Sequence, residues 1–332
     1  MRILLWHVHG GWMEAFVRGD HEYLLPVNAE RDAWGLGRGG RPWPENAREV
    51  AAAALRDEDV DVLVVQRPEE LAAAQELLGR RPGRELPTVY VEHNAPRPDV
   101  PQTLHPLADR DELTIAHVTH FNRLFWDTGR TPTTVVEHGV PDPGPLYSGE
   151  LERLAVVVNE PVRRGRVVGT DLLPAFASAA PLDVFGMRGE ALPQHLGLAR
   201  ERLAVHGDLP ALALHERLAQ RRAYVHPMRW TSLGLSLIEA MHLAMPVLVV
   251  AATEAVRAVP PEAGAISTDV DDLVRAARRL LRDPEEARRR GAAAREAALA
   301  RYGLDRFLAD WDRLLADVVS RHARRTPERS TA

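Results

Sequence analysis

The sequence predicts an α/β protein made of two doubly wound, Rossmann-like halves. Three observations lead there. Strand-like and helical runs alternate along almost the whole chain. The strand-like runs are continuously apolar, as in "LAVVV" (154–158) and "PVLVVA" (246–251), which suits strands covered on both faces of a parallel sheet. The alternation pauses once, at "VPDPGPLYSGE" (140–150), whose prolines and glycines read as a linker. A length of 332 residues also exceeds what one core usually covers.

Taken in order, "RILLWHV" (2–8) opens as a strand, a helical piece follows at 12–18, and "EYLLPV" (22–27) is the next strand. After a loop rich in Gly, Pro and Trp, "ENAREVAAAALRDE" (45–58) reads as a helix. "PEELAAAQELLG" starts with Pro and stops at Gly, the usual helix punctuation. "PTVYVEH" (87–93), "LTIAHVT" (113–119) and "TTVVEHG" (133–139) are strands, with helical "HFNRLFWDTG" between the last two. The second half has strands near 153–158, 181–185, 202–205, 222–226, 246–250 and 264–267. Its helices fall near 169–178, 211–220, 233–244, 269–282, 284–301 and 304–321. The expected domains are 1–145 and 146–310, with 304–321 as a final helix and 322–332 as a polar, disordered tail.

Composition excludes several classes of function. There is no cysteine, hence no disulfide, thiolate nucleophile or Cys-type zinc site. Net charge is −5 with no basic block before the C-terminus, which argues against a nucleic-acid partner. No lysine occurs, so any phosphate must be held by Arg, His or backbone N–H groups. No apolar run reaches membrane-spanning length, and the N-terminal run is too short for a signal peptide, so a cytoplasmic protein is expected. "DEDVD" (57–61) and "DVDD" (269–272) read as polar joins and helix starts rather than metal sites. Neither a metal nor a cofactor is expected.

Four stretches carry candidate chemistry. In "HVHGGW" (7–12), Gly10 and Gly11 let backbone approach a ligand where a strand turns into a helix, although a tight turn alone also accounts for them. In "VYVEHNAP" (89–96), His93 stands at a strand's carboxyl end, beside Glu92 and Asn94, where parallel sheets place chemistry. In "NEPVRRGRVVGTDLLPAF" (159–176), Arg163, Arg164 and Arg166 surround Gly165, and arginine forks hold diphosphates; a solvated charge cluster is the plainer reading. In "TSLGLSLIEAM" (231–241), Gly234, Leu235 and Ser236 open a helix with free N–H groups, and Glu239 lies one turn further in among apolar neighbours.

"TSLGLSLIEAMHLAMPVLV" resembles the donor motif of the retaining GT-B glycosyltransferases of the family-four type, with Gly234, Leu235, Glu239, Ala240, Pro246 and Val247 in register. "VTHFNRLFWDTGRTPTTVVEHGVPDP", "HGDLPALALHERLAQRRAYVHP" and "ADWDRLL" resemble further family segments in the expected order. The resemblance implies a GT-B fold with ligands bound between two Rossmann-like domains. It implies transfer of a sugar from an NDP-sugar donor to an acceptor, with retention; the arginines make a metal unnecessary, and a short first domain with no basic amphipathic helix near the N-terminus argues for a soluble small-molecule or glycan acceptor. Glu239 is then expected to hold the ribose hydroxyls and the 234–236 backbone the diphosphate. Arg164 or Arg166 would neutralise the leaving diphosphate, with Arg163 beside them. Arg188 and the "HGDLP" backbone around Gly207 would lie near the base. Gly10 and Gly11 would face phosphate or acceptor, and His93 the donor sugar. Thr231 and Ser232 depart from the pattern: Thr231 stands where the family has its first acid and Ser232 where it has a glycine. A non-catalytic nucleotide-sugar binder, or a GT-B epimerase or hydrolase using Glu92 and Glu14, are the alternatives.

Overall fold

A computed structural model describes residues 1–325. The chain forms two compact units: Met1–Pro141 with the helix that begins at Leu304, and Asp142–Gly303.

The first unit is built on seven strands: β1 (Arg2–Leu4), β2 (Glu22–Val27), β3 (Ala47–Ala51), β4 (Val62–Val65), β5 (Thr88–Glu92), β6 (Thr114–His117) and β7 (Thr133–Val135). All pairs are parallel, in the order β3-β2-β1-β4-β5-β6-β7. Helices α1 (Gly10–Phe16), α2 (Glu70–Leu78) and α3 (His120–Phe125) follow β1, β4 and β6. Every residue of β4, β5 and β6 is buried, as the unbroken apolar runs require. One apolar cluster covers each face, around Trp12, Phe16 and Val64 on one side and Leu4, Leu63 and Tyr90 on the other.

The second unit has six parallel strands: β8 (Leu151–Val157), β9 (Leu182–Phe185), β10 (Leu203–Gly207), β11 (Arg221–His226), β12 (Val247–Val250) and β13 (Gly264–Ser267), in the order β10-β9-β8-β11-β12-β13. Its helices are α4 (Pro161–Arg164), α5 (Leu173–Ala177), α6 (Leu192–Leu196), α7 (Ala211–Ala219), α8 (Leu235–His242), α9 (Ala255–Ala258), α10 (Val270–Arg282) and α11 (Pro284–Tyr302). The last two start at real caps: Asp269 accepts from the Asp271 N–H and Asp283 from the Glu286 N–H, each at 2.9 Å. Acids thus fall in the first turn of each helix, as the macrodipole favours.

The final helix, α12 (Leu304–Arg325), belongs to the first unit. Phe307, Trp311, Leu314, Leu315 and Val318 enter the cluster of Trp12 and Phe16. The Trp311 ring meets Trp12 at 5.5 Å and Phe16 at 5.0 Å, both edge-on.

Two expectations are corrected. Residues 45–58 are not a helix. Ala47–Ala51 adds an edge strand beside Tyr23–Val27 in parallel register, and only Ala52–Asp57 coils, as a 3₁₀ turn. Alanine-rich sequence favours a helix, but open strand positions on β2 and burial of Ala47 and Val50 outweigh that preference. Residues 322–325, expected in the tail, continue α12; the rest of the expected tail lies outside the described residues. Among the described residues no helix is long and apolar enough to cross a membrane, and no group of three or more His, Asp or Glu could hold a metal ion.

Candidate functional site

In the second unit, β9, β8 and β11 are adjacent, so the loops after them meet at the carboxyl edge of the sheet, where open α/β sheets bind ligands. The β8 loop carries the arginines. Glu160 has a left-handed backbone (φ +54°), and its carboxylate pairs with Arg163 and, at 2.6 Å, with Arg188 from the β9 loop. Asp171 pairs with Arg166 at 2.9 Å and receives a fork from Arg229 at 2.6 and 2.9 Å. The Arg229 and Trp230 N–H groups both donate to the Val167 carbonyl, at 3.0 and 3.1 Å. These bonds fasten the arginine turn to the segment that leads into α8. Gly169 makes the approach possible: a Cβ there would stand 1.9 Å from the Pro227 oxygen.

Glu160 and Asp171 thus share the guanidinium groups of Arg163, Arg188, Arg166 and Arg229, two cations to each carboxylate. The side chains of Arg163, Arg166 and Arg188 are 69, 76 and 79 % exposed, so they remain available to an anion. Hydrogen bonding from Arg163, then Arg188, holds the Glu160 carboxyl below its ordinary range; Arg229 does the same for Asp171.

The start of α8 is supported from below. The Tyr224 hydroxyl donates to Ser236 Oγ at 2.9 Å, and the buried His226 ring lies under Gly234. The Leu237 N–H is used internally, on the Gly234 carbonyl at 3.0 Å. The remaining N–H groups at Leu235 and Ser236 belong to the first turn, which has no intrahelical partner for them. Glu239 lies one turn in, its side chain 24 % exposed, with His215 Nε2 3.9 Å from its carboxylate, beyond hydrogen-bonding range. Among the described residues nothing donates to that carboxylate. Thr231 Oγ1 points at Met228 Sδ (3.6 Å) and Ser232 is buried. Gly207 ends β10 with φ +73°, its carbonyl accepting from the Gly186 N–H at 2.8 Å.

In the first unit, Gly10, Gly11 and His93 gather beyond β1 and β5. The His9 and His93 rings stack at 3.9 Å, and Trp12 meets His93 edge-on at 5.3 Å. Burial, with the nearby imidazoles of His9 and His138, pushes the His93 pKa well down; burial takes His138 down to about 4. The Arg41 guanidinium rests over Gly10. Glu92 and Glu14 serve the scaffold. Glu92 accepts from His105 Nε2 (2.9 Å) and the Asn94 N–H (2.6 Å), and Glu14 pairs with Arg18 (2.6 Å) and Trp43 Nε1 (2.8 Å).

Sequence reading passed over Arg229, Gln66, Arg41 and His138. Arg229 lies two residues before Thr231, beyond β11, and His138 beyond β7; position after a strand was the available signal for both.

Residues 191–297, from α6 into α11 and including α8, match the family described as glycosyl transferases group 1. Among solved structures, sucrose-phosphate synthase from Thermosynechococcus elongatus superposes with a TM-score of 0.70 at 16 % identity, covering 97 % of this chain and 100 % of that one. Anabaena HepE in complex with UDP gives 0.68 at 13 % identity, covering 96 % and 100 %. The fold is the GT-B fold of glycosyltransferases. A third GT-B structure, TarM, gives 0.63 at 13 % identity, covering 76 % of this chain and 54 % of that one. No curated protein sequence matches the chain significantly. The group 1 match supports glycosyl transfer as the activity, and the neighbours support the fold.

Proposed function

We propose that the chain transfers a sugar from a nucleoside-diphosphate sugar to a hydroxyl-bearing acceptor, with retention and without a metal. One observation carries this reading: the arginine turn is fastened to Arg229 and Trp230, in the segment that leads into α8, where Glu239 lies one turn in. In this reading the Leu235 and Ser236 amides and the arginines bind the diphosphate, and the Glu239 carboxylate accepts the two ribose hydroxyls. Breaking the sugar–phosphate bond leaves an oxocarbenium-like sugar and places charge on the diphosphate. Preorganised cations and amides stabilise that charge without reorganising, typically the largest contribution to such catalysis. Arg188 and the Gly207 turn serve the base side, and Gly10, Gly11 and His93 the sugar or acceptor. The UDP and UDP-glucose held by HepE support trying uridine nucleotides first.

Thr231 favours a second reading, a nucleotide-sugar binder without turnover. The test is a thermal-shift screen of UDP-, GDP-, ADP- and TDP-sugars, followed by nucleotide release with and without acceptors. Acceptor-dependent release supports transfer, release without acceptor supports hydrolysis or epimerisation, and binding without release supports the second reading. Glu239→Ala abolishes nucleotide stabilisation; a variant that binds like the parent refutes the site.

A further inference from the structure

Gln66, His9, His93 and His138 occupy the loops just beyond β4, β1, β5 and β7. The first three of these loops follow adjacent strands, so their side chains meet at the carboxyl edge of the sheet. Gln66 is 3 % exposed and held at both ends. Its Nε2 donates to the Trp6 carbonyl at 3.0 Å, and its backbone N–H donates to Glu70 Oε2 at 2.7 Å. Glu70 is itself fully buried and pinned by Arg67 Nε at 2.8 Å. The Trp6 bond decides which end of the Gln66 amide is oxygen, because a carbonyl there would face another carbonyl. Oε1 therefore faces His9 Nδ1, at 3.1 Å. An amide oxygen can only accept, so His9 carries its proton on Nδ1 and keeps a lone pair on Nε2. Among the described residues nothing else hydrogen-bonds Nε2, and the ring is partly exposed.

We propose that Gln66 is a positioning residue that locks His9 in its Nδ1–H tautomer, so that His9 Nε2 accepts a hydrogen bond from a substrate hydroxyl. The inference rests on the glycosyl-transfer reading and deepens it: the hydroxyl is one on the donor sugar or one on the acceptor. His93 stacks on the His9 ring and fixes its plane. The charged and titratable neighbours of His9 are Arg67 from the β4 loop, Glu92 and His93 from β5 and its loop, and His138 from beyond β7. Burial holds His9 below the usual imidazole value, so it is neutral at pH 7 and its Nε2 lone pair is present.

The experiment combines ¹⁵N NMR of the histidine rings with steady-state kinetics of Gln66→Leu and Gln66→Glu. In the unliganded parent at pH 8, His9 shows a protonated Nδ1 and a bare Nε2. Gln66→Leu removes the acceptor, moves His9 toward the Nε2–H form and lowers kcat/KM about tenfold or more, in proportion to the tautomer lost. A rise in KM for the nucleotide sugar assigns the hydroxyl to the donor; a rise in KM for the acceptor assigns it to the acceptor. Gln66→Glu keeps the Nδ1–H form, raises the His9 pKa, and moves the acid limb of the rate profile to higher pH; it also serves if the leucine variant does not fold. A parent His9 protonated on Nε2 overturns the inference, as does a tautomer change without a kinetic effect. Failure of the underlying reading is seen separately, as absence of transfer by the parent protein whose NMR spectrum still reports the Gln66–His9 bond.

Discussion

Gly234→Ala tests the support beneath the start of α8. Gly234 has an ordinary negative φ, so backbone conformation does not demand glycine there; contact does. A Cβ would stand 2.7 Å from Cε1 of His226, whereas ordinary contact begins near 3.4 Å, so something must move by about 0.7 Å. The His226 ring is 2 % exposed and closed in at the end of β11, leaving it little room to swing aside. Overpacking of this kind costs about 1–3 kcal/mol. If the ring yields, the cost appears as a loss of Tm of a few degrees. If the helix start yields, the Leu235 and Ser236 amides leave their positions and UDP affinity falls about 5- to 150-fold at 1.4 kcal/mol per decade. Melting curves and calorimetric titration with UDP separate the two. Adding His226→Ala opens the space and restores most of what the alanine took away, a coupling expected only for residues in contact. Parental Tm together with parental UDP affinity in Gly234→Ala refutes the reasoning, as does a double variant no better than the single.

Three further outcomes follow from the same geometry. Trp311→Ala removes a buried ring packed on Trp12, Phe16 and Phe307 and destabilises the first unit by about 3–5 kcal/mol, read by urea unfolding. Arg229→Met removes the fork on Asp171, which keeps Arg166, and the bond to the Arg166 carbonyl, so the arginine turn loosens and UDP affinity falls about tenfold with a change in Tm of only a degree or two, both measured on the purified variant. Acid weakens the fold through His138 and His226, whose pKa values burial lowers to about 4. The unfolded chain binds these protons from about pH 6.5 downward and the folded chain does not until about pH 4. Stability therefore falls as pH drops through that window, by about 1.4 kcal/mol per pH unit per group. Urea titrations at pH 7 and 4.5 check this, and His226→Ala should flatten the dependence.

Much of the architecture was legible because burial on both faces leaves unbroken apolar runs. Glu22–Val27 was read to the residue for that reason. Ala47–Ala51 was not, because its strand state comes from a neighbour distant in sequence rather than from its own pattern. The candidate residues of α8 could be picked out by local spacing alone. What holds them could not: Tyr224 reaches Ser236 across 12 positions, Arg229 reaches Asp171 across 58, and Gln66 reaches His9 across 57. Those pairings exist only once the parallel order of the strands is known.

The return of α12 to the first unit also sets an order of manufacture. The ribosome delivers Met1–Pro141 first, yet the apolar face around Trp12 and Phe16 has no cover until Phe307 and Trp311 emerge. The second unit, continuous from Asp142 to Gly303, can finish while the first still waits with its core open. The N-terminal unit is thus the last part of the nascent chain to close. A stop codon between Gly303 and Phe307 would damage the end of the protein that was made earliest.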